Sequence, residues 1–216
     1  MATDRHFFNR KLHSLLGVIP VGAFLIIHLY TNFLAHYGRE RFTSQVKLME
    51  DIPFLAIVEI VFILLPLLYH AVYGLYIAFQ AKHNVNNYGY FRNMMFFLQR
   101  VTGIITLIFV VWHIWQTRIQ IAIGSVKPEG FYDIMVHVFQ NGGMIAFYVL
   151  GLLSATFHFS NGMWSFLVSW GITVGPRAQR ISTYVWMVFF VILSYIGISA
   201  MFAFINPVDV AASIKG

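Results

Sequence analysis

Five apolar runs dominate the chain, at about residues 14–35, 53–80, 96–121, 143–170 and 182–205. Each is long enough to cross roughly 30 Å of hydrocarbon as a helix rising about 1.5 Å per residue. In hydrocarbon every backbone amide needs an internal partner, so runs of this length predict transmembrane α-helices. Composition agrees: with 59% hydrophobic residues, 10% charged and a mean hydropathy of +0.72, too few polar side chains exist to cover a water-soluble domain of 216 residues. The expected fold is an all-α integral membrane protein, with residues 1–216 forming one transmembrane domain of five helices. Connections read as short and polar, without internal repeats, and the tail NPVDVAASIKG is expected to fray. Arg5, Arg10 and Lys11 ahead of an apolar run mimic a signal peptide, but the run is too long and FLAHYG is a poor small-residue cleavage site, so an uncleaved span is expected.

Orientation follows from Lys and Arg. With five spans, the N-terminus and the 81–95 and 171–181 loops share one side, which carries Arg5, Arg10, Lys11, Lys82, Arg92, Arg100, Arg177 and Arg180 against Asp4 alone. On the other side Arg39, Arg41, Lys47, Arg118, Lys127 and Lys215 are balanced by Glu40, Glu50, Asp51, Glu129, Asp133 and Asp209. The positive-inside tendency places the N-terminus in the cytoplasm and the C-terminus outside. The net charge of +6 reflects this topology, so no nucleic-acid partner is expected. The absence of cysteine excludes thiolate metal sites, iron–sulfur ligation and c-type haem attachment in this chain.

Nine histidines are present. His6, His13, His36, His83 and His137 lie near span ends or in loops and read as interfacial hydrogen-bonding groups. His28, His70, His113 and His158 lie one in each of the first four spans. One such residue alone reads as a polar side chain bonded across a helix interface; four form a constellation. Spans one and three run outward and carry His28 and His113 late, in the outer half. Spans two and four run inward and carry His70 and His158 past their middles, toward the inner half. The two layers fall on the order of 15 Å apart. Imidazoles from facing helices at equal depth suit the two axial positions of a b-type haem, whose apolar macrocycle fills space between helices. Zinc fits less well, because no carboxylate accompanies the histidines; a proton relay remains open.

Neighbouring residues fit the same picture. Gly17, Gly22, Gly74, Gly103, Gly151 and Gly162 let backbones approach one another or a flat macrocycle, although ordinary helix packing uses glycine in the same way. Pro66 removes a helical donor four residues before His70 and should kink the second span. Trp112 and Trp115 read equally as belt aromatics. Candidate cations for haem propionates are Arg10, Lys11, Arg92, Arg100, Arg177 and Arg180 on the inner side, and Arg39, Arg41 and Arg118 on the outer. Glu59 is the one carboxylate well inside a span. Eleven residues at about 100° each put it on the face of His70, roughly 16 Å nearer the outer side. Proton exchange with a quinone is its expected role; a protonated Glu bonded to a carbonyl is the alternative.

The segments RKLHSLLGVIPVG, LLPLLYHAVYGLYIAF, YFRNMMFFLQRVTGIITLIFVVWHIW, FHFSNGMWSF and WGITVGPRAQRISTY closely resemble the di-haem cytochrome b membrane subunit of Bacillus-type succinate dehydrogenases, succinate:menaquinone oxidoreductases. The resemblance spans nearly the whole chain and is weakest at 36–52, 122–142 and the tail. It implies a multi-pass protein of the bacterial cytoplasmic membrane with two haem b groups. His28 and His113 match the ligands of the outer haem, His70 and His158 those of the inner haem. It implies a flavoprotein partner carrying FAD and an iron–sulfur partner on the cytoplasmic face, with menaquinone or another quinone reacting near the outer haem. In one branch of related fumarate reductases a glutamate two residues before the fourth-span histidine carries protons; here that position is Thr156, so that route does not transfer. Two readings stand beside this one: another membrane cytochrome b anchor, of hydrogenase, formate dehydrogenase or ferric reductase type, and a non-enzymatic proton-coupled transporter. The latter lacks the pair of broken helices that many transporters show.

Overall fold

The computed structural model describes residues 2–82, 84–127 and 130–207, with side chains from Arg5 onward. His83 and the tail beyond residue 207, with the expectation that it frays, lie outside the described residues. Five helical spans occur among the described residues: Arg5–Tyr37, Leu55–Gln80, Phe91–Ala122, Gly142–Ser169 and Pro176–Ile205. All five expected runs are present; the second and fourth helices match them to within two residues, while the first, third and fifth overrun them. The third begins at Phe91 instead of 96 and the fifth at Pro176 instead of 182. Helical hydrogen bonding continues where the apolar run has ended, and proline suits a first helical position because its missing N–H would be unpaired there anyway.

The first span is two helices, α1 (Ala2–Val18) and α2 (Pro20–Phe33), joined at Ile19. Pro20 has no amide hydrogen for the Leu16 carbonyl, which accounts for the break. The flanking bonds survive: the Ile19 amide donates to Leu15 at 2.9 Å and the Ala23 amide to Ile19 at 3.3 Å. A 3-10 turn, Leu34–Tyr37, closes the span.

The second span consists of α4 (Leu55–Glu59), a π turn (Ile60–Leu64) and α5 (Leu65–Gln80). The irregularity expected at Pro66 takes the form of this π turn just before it, in which the Leu65 amide donates to the Ile60 carbonyl. The wider turn corrects the angular argument for Glu59. Taking up about one extra residue shifts the register by roughly 100°, so Glu59 and His70 do not align as an unbroken helix would place them.

The third span is α6 (Phe91–Ile114), a second π turn (Trp115–Ile119) and α7 (Gln120–Ala122). The fourth is α9 (Gly142–Ser169), capped by the Asn141 side chain on the amides of Gly143 and Met144. The fifth is α10 (Pro176–Ile205). Helix α9 packs along α6 and α10, α10 also along α2, and α1 along α5. Small side chains permit close contact: Gly197 faces Leu152, and Thr156 bonds Ser194 at 2.9 Å. Val72, Ile108, Val111, Val188 and Val191 are exposed outward, as a lipid-facing surface requires.

The connections expected to be plain loops contain α3 (Arg39–Glu50) and α8 (Phe131–Val138). Phe42 and Val46, four residues apart on one face, are buried. The Phe42 ring meets Tyr132 at 5.8 Å and Phe204 at 5.4 Å between centroids. Arg39 pairs with Asp133 across the two helices. Together α3 and α8 cap one end of the bundle.

Candidate functional site

The four span histidines meet as two pairs. His28 from α2 faces His113 from α6, with ring centroids 5.6 Å apart and planes at 77°. His70 from α5 faces His158 from α9 at 5.9 Å and 87°. The partners are those that depth alone assigned. Their separation can be read along two helices. Tyr148 touches His113 and precedes His158 by ten residues on α9, about 15 Å. Gln99 touches His158 and precedes His113 by fourteen residues on α6, about 21 Å. Among the described residues no group of three or more His, Cys, Asp or Glu is gathered for a metal ion.

In three of the four rings Nδ1 is occupied by an oxygen acceptor. His70 Nδ1 donates to the His13 carbonyl at 2.9 Å, His158 Nδ1 to the Gln99 carbonyl at 3.0 Å, and His113 Nδ1 to the Tyr148 hydroxyl at 3.2 Å. Tyr148 in turn donates to Gln116 Oε1 at 3.0 Å. This arrangement fixes the tautomer and leaves Nε2 with its lone pair, the atom that a haem iron would take. His28 departs from it: its Nε2 lies 3.4 Å from Asn32 Nδ2, a long contact, while that amide donates to the His28 carbonyl at 2.8 Å. Haem ligation through His28 Nε2 therefore requires the Asn32 amide to yield.

Glycines make room for the rings. A Cβ on Gly17 would collide with His70, and one on Gly103 would lie 2.9 Å from His158 Cε1. Gly74 seats His13, Gly22 seats Phe159 and Gly151 seats Phe109, while Gly162 lies against Gln99. Phe109 stacks on His113 at 5.7 Å. The six glycines thus accommodate side chains, and three of them serve histidines.

His13 needs a revised reading. It does not serve only as an interfacial hydrogen-bonding group: its ring stacks on His70 at 4.0 Å and 10°, and its own Nδ1 is buried without a hydrogen-bond partner among the described residues. His6 does behave as an interfacial group, bonding Tyr73 at 3.2 Å and Tyr76 at 3.1 Å. His36 packs on Phe33 at 5.0 Å. Thr156 is fully buried, bonded to the Leu152 carbonyl and to Ser194.

Glu59 does not stand alone. Arg118 donates to its Oε2 through Nε at 2.9 Å and Nη2 at 2.6 Å, and reaches Glu50 Oε1 at 3.2 Å. The expected alternative, a carbonyl-bonded acid, is replaced by an ion triad linking α3 and spans two and three. Other candidate cations are also engaged. Arg92 lies 3.6 Å over the Trp164 ring and bonds Thr183; Arg100 lies 3.3 Å over Phe96 and donates to its carbonyl at 2.5 Å; Lys11 bonds the Ser169 carbonyl. Trp112 and Trp115 are exposed, as belt aromatics would be.

Residues that pattern reading passed over are Gln99, Asn161, Tyr148 and Gln116. Asn161 donates to Gln99 Oε1 at 2.7 Å, and Gln99 Nε2 donates to the His158 carbonyl at 2.9 Å. Each is a polar group inside an apolar run, and that is the signal that could have found them.

Residues 90–197 match the family described as the succinate dehydrogenase/fumarate reductase transmembrane subunit. The chain is 57% identical over 205 residues to the succinate dehydrogenase cytochrome b558 subunit of Bacillus subtilis (strain 168), covering 95% of this chain and 100% of that relative.

Proposed function

Because this chain belongs to the succinate dehydrogenase/fumarate reductase transmembrane subunit family, we propose that it is the membrane-anchoring, electron-carrying subunit of a succinate:quinone oxidoreductase. It is a multi-pass protein of the bacterial cell membrane. In this reading His28 and His113 hold one b haem, and His70 and His158 a second. The N-terminal side faces the cytoplasm and receives a flavoprotein and an iron–sulfur subunit, which carry the FAD and the iron–sulfur clusters. A quinone, menaquinone by resemblance, reacts near the His28–His113 pair.

The observation that carries the reading is the facing of imidazoles in two pairs, 5.6 Å and 5.9 Å between centroids, on four different spans. When bound, a haem supplies one-electron transfer at potentials set by its ligands and surroundings. The chain's own residues do the positioning. The acceptors on Nδ1 of His70, His113 and His158 orient each ring and raise the basicity of the opposite nitrogen. Gly17 and Gly103 let two of the rings sit against a neighbouring backbone. Glu59 is the group proposed to exchange a proton with the quinone, and Arg118 fixes its position.

Redox titration of the purified complex with succinate as reductant tests the main reading. Two b-type components reduced by succinate, with flavoprotein co-purifying, are the expected result. Absence of b-type bands would refute it, and bands unresponsive to succinate would move the chain to another class of cytochrome b anchor. For Glu59, normal quinone turnover by Glu59→Gln would end the proton role.

A further inference from the structure

Outside the histidine layers, a groove of about 1280 Å³ runs along the lipid-facing junction of α1 and α5. One end is polar, lined by Arg5, His6, Asn9, Tyr73 and Tyr76, with Tyr69 just below. The rest is aliphatic, lined by Leu16, Val61, Leu65, Leu68 and Val72. His6 braces the polar end by bonding both Tyr73 and Tyr76, at 3.2 Å and 3.1 Å, and by stacking on Tyr76 at 5.6 Å. The Tyr69 hydroxyl has no hydrogen-bond partner among the described residues. The histidine pairs do not line this groove, and nothing in the electron-carrying role uses it.

We propose that this groove binds one anionic phospholipid, its phosphate at Arg5 and Asn9 and an acyl chain along Val72, Leu68, Leu65 and Val61. Three observations support this. From Val61 to Tyr76 is fifteen residues, about 22 Å at 1.5 Å per residue. That is close to half of a bilayer of about 40–45 Å including its headgroups. The volume exceeds the roughly 300–1,000 Å³ usual for a compact ligand. A cation with polar neighbours at the span end, above a mainly aliphatic trough, matches the charge distribution of a lipid with a phosphodiester head. A quinone could use the phenols but would supply no negative charge to Arg5.

The test uses the purified complex in nanodiscs made from equal amounts of phosphatidylglycerol and phosphatidylcholine, followed by detergent extraction and native mass spectrometry of retained lipid. Wild-type complex should retain phosphatidylglycerol in preference to phosphatidylcholine. Arg5→Gln should lower that retention about fivefold, the effect of one basic group near a membrane surface. Val72→Trp, which fills the trough without altering charge, should lower it as well, and Arg5→Lys should largely preserve it. Equal retention of the two lipids by the wild type, unchanged retention in Val72→Trp, or a quinone as the retained species would each overturn the proposal.

Discussion

The Tyr148 hydroxyl accepts a hydrogen bond from His113 Nδ1 at 3.2 Å and donates one to Gln116 Oε1 at 3.0 Å. Tyr148 is buried, so the loss of its oxygen would not be made good by bulk water. Tyr148→Phe should therefore weaken haem retention at the His28–His113 pair by about ten- to hundredfold, as removal of such supporting partners does. Haem that remains there should be less basic in its ligand and titrate at a higher potential. A redox titration of the complex reads both effects, and unchanged potential and occupancy would show that Tyr148 only packs.

Exchange of His113 for Ala should remove the haem at the His28–His113 pair and leave the His70–His158 component spectrally present. Exchange of His158 for Ala should do the reverse. The reduced-minus-oxidised spectrum decides, and loss of neither component in both variants would refute the ligand assignment.

Gly17→Ala should disturb the His70–His158 component selectively. The added methyl group would overlap the His70 ring, and overpacking of this kind costs about 1–3 kcal/mol. Gly103→Ala, where the nearest ring atom is 2.9 Å away, should have a milder effect on the same component. Haem quantification in membranes distinguishes the two variants from each other and from the wild type.

Arg118→Gln should lower thermal stability by about 1–3 kcal/mol, because it removes the cation that the Glu50 and Glu59 carboxylates share. The figure lies below that for a fully buried pair, since the Arg118 and Glu59 side chains keep 30% and 26% exposure. The double variant Arg118→Gln/Glu59→Gln should recover much of the loss. A melting curve followed by haem absorbance measures all three proteins.

The spans were legible because hydrocarbon demands long apolar runs, and the pairing of histidines was legible because depth can be counted along spans that alternate in direction. Departures from regular helix were not. Pro66 pointed to an irregularity but not to a π turn, so a count at fixed angle misplaced Glu59 relative to His70. The short helix α3 looked like a loop because only Phe42 and Val46 mark its buried face among charged neighbours. His13 was misread because its ring contact with His70 joins residues 57 apart in sequence, which no local pattern encodes. Arg118 reads as a topology determinant by charge alone; only the fold brings Glu50 and Glu59 to it.

The two histidine pairs are interleaved along the chain: His28 pairs with His113 across the position of His70, and His70 pairs with His158 across that of His113. Neither site can close as a local hairpin, and a truncated chain lacking the fourth span can complete one site but not both. During synthesis from the N-terminus, His113 appears 45 residues ahead of His158 (158 minus 113). That interval is roughly 2–9 s at about 5–20 residues per second. Biogenesis therefore has a built-in order, in which both members of the His28–His113 pair are synthesised while His70 still waits for its partner.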